Sequence, residues 1–297
     1  MTVFHPRPAL APLSAARAWV AALGLAAAAA PQAVALTADL VVRAPFPPGP
    51  TARRPGWAVP AEATLGASPY GPVPLAGLRR VAAGEAMPPG ADAVLPPDQA
   101  TDTGPWGEVT GSVAPGEGVV AAGGHLAAGQ VLARAGQVPS PLALLLAAAA
   151  EGGLAARLAA LAPATLALGP VREATIPGLA ARPIEETRLG EGPDQRPALS
   201  LPADPAAMLL AWCVLLGSPA GQVTARLGRK LPSAVGLTDL VLVHLADGVA
   251  RPLAAADAPS LAAFTQAAGW LEVPPGSEGW PEGTTVTVSL FPALLTG

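Results

Sequence analysis

Cysteine occurs once in this chain, at Cys213, which excludes an internal disulfide framework and any cysteine-rich zinc site. Lysine also occurs once, at Lys230, and the net charge of −4 leaves no broad basic face for a nucleic acid. Charged residues make up 13%, about half of the usual ~25%. Aromatic residues are only 4% and tyrosine appears once, so large side chains are scarce for building a core. Disorder of the polar, highly charged kind is excluded by a mean hydropathy of +0.44. What the chain does have is alanine, glycine and proline. Hydrophobic residues reach 51%, and glycine and proline together supply 70 of the 297 positions. The result is an apolar, turn-rich globular chain, long enough for about two domains or one long mosaic.

The segment Ala18 to Leu36 is uncharged and follows Arg7 and Arg17, and Ala33-Val34-Ala35 has the small-residue look of a cleavage site. However, it is mostly alanine, is interrupted by Gly24 and Pro31, and is too weakly apolar for a membrane span. An amphipathic helix opened by Ser14, with Trp19, Leu23 and Leu25 facing a core, suits it better than a secretory signal. Pro6, Pro8 and Pro12 make the residues ahead of it an extended arm. A cytoplasmic protein with no membrane span follows as the expectation.

Further along, Val34 to Pro48 reads as a strand ending in the Pro45-Phe46-Pro47-Pro48 turn. Residues 53–135 are broken by glycine or proline every few positions. The apolar pieces between them (Ala91–Leu95, Val109–Val113, Val119–Ala121, Gln130–Ala133) suit a small β module. The leucine- and alanine-rich run Leu142 to Leu161 predicts one or two helices, capped by Ser140, led by Pro141 and broken at Gly152-Gly153. Between Ala162 and Ser200 only Thr165–Leu168 and Ala198–Leu201 stand out from a loop-like text. Asp204 and Pro205 predict the start of a helix through Leu216. Leu240–Leu245, Leu271–Val273 and Thr285–Leu290 read as strands, and Ser260 to Ala268 as one short helix. Cys213 beside Trp212 reads as a buried core residue.

Two stretches carry a resemblance: Arg54-Pro55-Gly56-Trp57-Ala58-Val59, and Ala83-Gly84-Glu85-Ala86-Met87-Pro88-Pro89-Gly90-Ala91-Asp92-Ala93-Val94-Leu95-Pro96. They resemble the DGYAV motif and the G-x-x-x-P-x-G-A-D-A-V-V segment of the molybdopterin molybdenumtransferases, the family of the MoeA proteins and the C-terminal part of gephyrin. Gly123-Gly124-His125-Leu126 follows that family's GED layout. Leu201-Pro202-Ala203-Asp204-Pro205 is similar to its L-P-G-N-P turn, and Arg229-Lys230-Leu231-Pro232-Ser233 with Gly236 looks like its C-terminal β domain.

The resemblance implies an α+β mosaic. Its parts are an elongated helical base (1–45 and 136–161), a β module (46–135), a vestigial α/β segment (162–220) and a C-terminal β domain (221–297). It also implies transfer of molybdate onto molybdopterin with use of Mg²⁺, and a homodimer whose sites lie between subunits. Two departures qualify this. Pro55, Gly124 and His125 stand where the family has carboxylates, and a hard cation needs oxygen ligands. The family's pterin-binding α/β domain needs on the order of 100 residues or more, whereas Ala162 to Ser200 offers 39. The expectation is therefore a protein impaired or inactive alone. The alternative is a non-catalytic partner, either of a full-length paralogue in a heterodimer or of a molybdoenzyme maturation complex.

Within that frame the candidate ligand-binding positions are Arg53, Arg54, Gly56, Gly84, Glu85, Asp98, His125, Pro202, Asp204 and Ser233, and none is assigned a catalytic or metal-ligating role. Each has a plainer reading. Glu85 and Asp98 suit solvated turns, and Arg53-Arg54 suits either an anion site or a solvated pair. His125 suits an exposed loop position or a substitute ligand. Asp204 caps the very N–H groups that an anion at Pro202 would need. Ser233 with Gly236 suits a turn.

Overall fold

The computed structural model describes residues 10–24, 34–102, 104, 106–217 and 219–296. It is a mixed α+β chain of short helices and several small sheets. Two compact units divide it: residues 42–130 form one, and 1–41 with 131–297 form the other. No helix among the described residues is long and apolar enough to cross a membrane. The proline arm at Pro6 and Pro8, Leu25, and Ala33 of the cleavage-like triplet lie outside the described residues.

In the unit of residues 42–130, the strand Gly56–Val59 lies between Arg79–Val81 and Ala93–Leu95, antiparallel to both. All four of its residues are buried. One face meets Leu95, Val109 and Val113, and the other meets Ala52, Val81 and Val94. A strand covered on both sides needs apolar residues without alternation, and Trp57-Ala58-Val59 supplies them. A second sheet, Val73–Ala76, Trp106–Val109 and Ala100–Asp102, and the two-stranded pair Thr51–Ala52 with Val119–Val120 belong to the same unit.

The other unit opens with helix α1 (Leu13–Ala22). It starts two residues earlier than the sequence predicts: Pro12, not Ser14, occupies the cap position, and no side chain caps the helix. Its buried face is Leu13, Ala16 and Val20, while Trp19 and Leu23 are only partly covered. Spacings of three and four residues from Leu13 define that face, and Trp19 falls at its edge.

The Val34 to Pro48 region holds only the two-residue strand Leu40–Val41, paired with Val131–Ala133. Helices α2 (Pro141–Ala150) and α3 (Leu154–Leu161) follow, separated at Gly152, whose φ is +76°. Ser140 Oγ accepts from the Ala143 N–H at 3.1 Å, the expected cap.

The largest correction concerns residues 162–200. The loop-like text forms a four-stranded sheet. Ala167–Leu168 runs parallel to Pro197–Ser200, and Arg188–Glu191 joins Pro197–Ser200 to Glu173–Ile176. The last of these shows no alternation, with three exposed residues before Ile176. Backbone pairing holds it, and a hydropathy pattern cannot report backbone pairing.

Helix α4 (Pro205–Leu215) is buried nearly all round, and Cys213 and Trp212 are both fully enclosed. Burial pushes the Cys213 thiol pKa up, as suits a core residue. Beyond it, five strands close into a small barrel: Thr238–Ala246, Val249–Pro252, Gln222–Leu227, Thr285–Leu290 and Gly269–Val273, the last pairing back to the first. Val241, Val243, Leu271, Val273, Val286 and Val288 fill it. Closure requires Gly269: a Cβ there would sit 1.9 Å from the Ser289 carbonyl oxygen. The short helix α5 is confined to Leu261–Phe264, capped by Ser260. Phe264 stacks on Phe291 at 5.5 Å.

Candidate functional site

The candidate residues fall into two groups, one in each compact unit. In the 42–130 unit, Gly84 and Glu85 form a turn beside the strand Thr51–Ala52. Gly84 N donates to Ala52 O at 2.7 Å, and Ala52 N donates to Glu85 O at 2.8 Å. Gly84 has φ +80°, which glycine adopts without penalty. The Glu85 carboxylate accepts from Ala82 N at 2.9 Å and from Arg79 at 3.2 Å. The backbone bond first, then Arg79, holds its pKa below the ordinary value. Its acceptor capacity thus serves its own turn.

Arg53 and Arg54 follow the same strand. Arg53 N donates to Gly118 O at 2.8 Å. Arg54 Nη2 reaches Glu117 Oε1 at 3.1 Å and Val94 O at 3.3 Å. Gly56 is required for a steric reason, because a Cβ there would lie 2.3 Å from Leu95 O. Asp98 sits in the short turn Pro97–Gln99, exposed.

His125 is the clear correction in this unit. Its place in a glycine-rich loop predicts exposure, yet it is 2% exposed. The ring stacks on Phe46 with centroids 5.9 Å apart, and its backbone N donates to Phe46 O at 3.0 Å. Phe46 and Leu126 form an antiparallel bridge that draws the loop inward. The proline-rich segment 45–48 thus covers the histidine, a long-range contact that local composition does not encode.

The second group lies in the other unit. Asp239 is 3% exposed. Its two oxygens accept from Arg182 Nε at 2.6 Å and Arg182 Nη2 at 2.8 Å, and Ser233 Oγ donates to Oδ2 at 2.7 Å. Ser233 therefore does more than make a turn: it is a half-buried member of a polar network around the buried Asp239, while Gly236 takes the turn with φ +114°.

Glu185 stands beside this pair. Its pKa is raised to about 7, first by burial and also by the charges of Glu186 and Asp239, with Arg182 opposing. Glu186, which keeps an exposed surface, is raised too, by the partial desolvation of its carboxyl and then by Asp204. Asp204 Oδ1 accepts from Ala206 N and Ala207 N, each at 2.9 Å, which caps α4 as expected. The carboxylate thereby occupies the helix N-terminus that follows Pro202, so the N–H groups there are directed at protein.

Sequence reasoning missed Arg182, Glu185, Glu186 and Asp239. Glu185-Glu186 was the visible signal, as adjacent acids in a proline- and glycine-rich stretch. Asp239 is buried in a strand and is followed by four buried residues, where an ionised side chain requires a partner.

The positions at which the motif resemblance places carboxylates do not fit Mg²⁺ in this chain. His125 is packed on Phe46, Pro55 carries no donor, and Gly124 has no room for a side chain, since a Cβ would lie 2.9 Å from Ala121 O. Among the described residues, no group of three or more His, Cys, Asp or Glu is arranged to hold a metal ion.

Comparison with known families decides the relationship. The MoeA N-terminal region (domain I and II) matches residues 10–150, and the MoeA C-terminal region (domain IV) matches residues 224–291. This chain belongs to the MoeA family. Residues 151–223, with the four-stranded sheet and α4, lie between the two MoeA regions.

Among solved structures, a molybdopterin biosynthesis MoeA protein from Pyrococcus horikosii is 20% identical. That match covers 95% of this chain and 99% of that one, with a TM-score of 0.42. A second, from Pyrococcus horikoshii OT3, is 17% identical over 95% and 100% of the two chains, with a TM-score of 0.40. A molybdenum cofactor biosynthesis protein from Pyrococcus furiosus is 19% identical over 57% and 82%, with a TM-score of 0.35. No curated protein matches the chain.

Proposed function

We propose that this MoeA-family chain is a molybdopterin molybdenumtransferase-like protein of molybdenum-cofactor biosynthesis that does not complete metal insertion alone. The observation that carries the reading is the loss of oxygen donors at Pro55, Gly124 and His125, with His125 packed against Phe46. Molybdopterin and molybdate are its substrates by family resemblance. The segment 162–220 is read as the remnant of a pterin-binding domain. Its support is the parallel pair Ala167–Leu168 and Pro197–Ser200 leading into α4. On this reading 1–45 with 136–161 is the helical base, 46–135 the β module and 221–297 the C-terminal β domain.

The test is a purified-component assay. The chain is supplied with adenylated molybdopterin, molybdate and Mg²⁺, and active cofactor is read by reconstituting a molybdoenzyme. The expected yield equals the blank without protein; turnover above it overturns the reading. The retention of regions I, II and IV favours a second role, as the non-catalytic half of a cytoplasmic heterodimer with a full-length paralogue. Co-expression and co-purification test it: a mixed dimer is expected, and a chain found only as monomer or homodimer counts against it.

A further inference from the structure

The outer face of the C-terminal barrel carries an open groove of about 380 Å³. Gly228, Arg229, His244, Arg251 and Gln266 line it, and among the described residues no acidic side chain does. Its construction follows from strand register. His244 is paired with Arg251 across the hairpin, while Val243 and Ala250, next in line, are buried in the barrel. Alternation therefore turns His244 and Arg251 outward on the same face, within reach of a common ligand.

Arg229 is fixed from the other side by a hydrogen bond from Nη2 to Pro252 O at 2.7 Å. Gly228 donates to Ala250 O at 2.8 Å, and a Cβ there would lie 2.9 Å from Arg251 Cγ. A glycine at 228 thus lets the Arg251 stem lie against the backbone that carries Arg229. Two guanidinium groups share one concavity without a lining carboxylate, in a chain whose net charge is −4. Their mutual repulsion is relieved by a bound anion, and the planar fork of arginine matches tetrahedral oxyanions.

We propose that this groove binds a multivalent oxyanion of the phosphate class, with Arg229 and Arg251 supplying charge and His244 and Gln266 supplying hydrogen bonds. The site is independent of the molybdopterin reading. It would take free pyrophosphate or the phosphate end of a monoester.

The test is an NMR titration of the full chain, following arginine Nε–H signals, with inorganic pyrophosphate and separately with AMP. Sodium chloride holds the ionic strength constant. Saturable shifts of Arg229 and Arg251 are expected, with a dissociation constant below about 1 mM. Arg251→Gln and Arg229→Gln are each expected to weaken binding at least about tenfold. Arg157→Gln, at an exposed position of α3, is expected to leave it unchanged. Tighter binding of AMP identifies the ester as the ligand, tighter pyrophosphate the free anion, and either upholds the site. Absence of saturation up to about 10 mM, or equal binding by the two groove variants and wild type, overturns it. Arg229 and Arg251 are exposed, and circular dichroism of the variants verifies that the fold is retained.

Discussion

Asp239 accepts three hydrogen bonds in a nearly sealed position, two from Arg182 and one from Ser233. Removing the buried carboxylate leaves a half-buried guanidinium and hydroxyl unmatched. Asp239→Ala is expected to destabilise the protein by about 3 kcal/mol, and Ser233→Ala by about 1 kcal/mol, both read from urea midpoints. Glu185 gives a pH signature. Its folded pKa of about 7 lies above its ordinary 4.5, so the folded state holds this proton more tightly than the unfolded chain. Its contribution is most favourable below pH 4.5 and is lost as pH rises to about 7. Glu185→Gln is therefore expected to remove this fall and to stabilise the protein at pH 8 by about 2 kcal/mol. Denaturation curves of both proteins at several pH values check this: parallel pH profiles would show that Glu185 is not the titrating group.

Helix α4 shows what an element requires when it is buried nearly all round. Its orphan N–H groups cannot rely on solvent, and Asp204 answers two of them. Asp204→Ala is expected to cost about 1–2 kcal/mol, and Asp204→Ser or Asp204→Asn to recover most of it; thermal melts distinguish the three. The strand Gly56–Val59 makes the opposite demand, for close approach. Gly56→Ala places a methyl group 2.3 Å from Leu95 O, so the Gly56–Val59 and Ala93–Leu95 strands must part. Loss of amide protection in those two strands by hydrogen exchange is the expected readout.

The unit of residues 42–130 has its own buried clusters around Trp57, Leu95 and Val109 and around Ala58 and Val94. An excised 42–130 fragment is accordingly expected to give a dispersed NMR spectrum and a cooperative melt, and a collapsed spectrum would show that its core is insufficient alone. For the whole chain, the family is legible in order and spacing: residues 10–150 and 224–291 match MoeA regions, and the motifs at 54–59, 83–96, 123–126 and 229–236 lie within those bounds, whereas Leu201 to Pro205 falls in the unmatched segment between them.

Local chemistry settled what depends on neighbours in sequence. Ser140, Asp204 and Ser260 cap their helices because a cap is satisfied within three residues. The Gly152 break and the Thr285–Leu290 strand are legible for the same reason. Contacts between distant segments decided the rest. His125 is buried because Phe46 comes over it from far back in the chain. Glu173–Ile176 is a strand because Arg188–Glu191 offers it hydrogen bonds. Asp239 is tolerable in a barrel strand because Arg182 arrives from a separate edge strand, paired in parallel beside it. Hydropathy and turn residues carry no record of such partners, and only the folded chain brings them together.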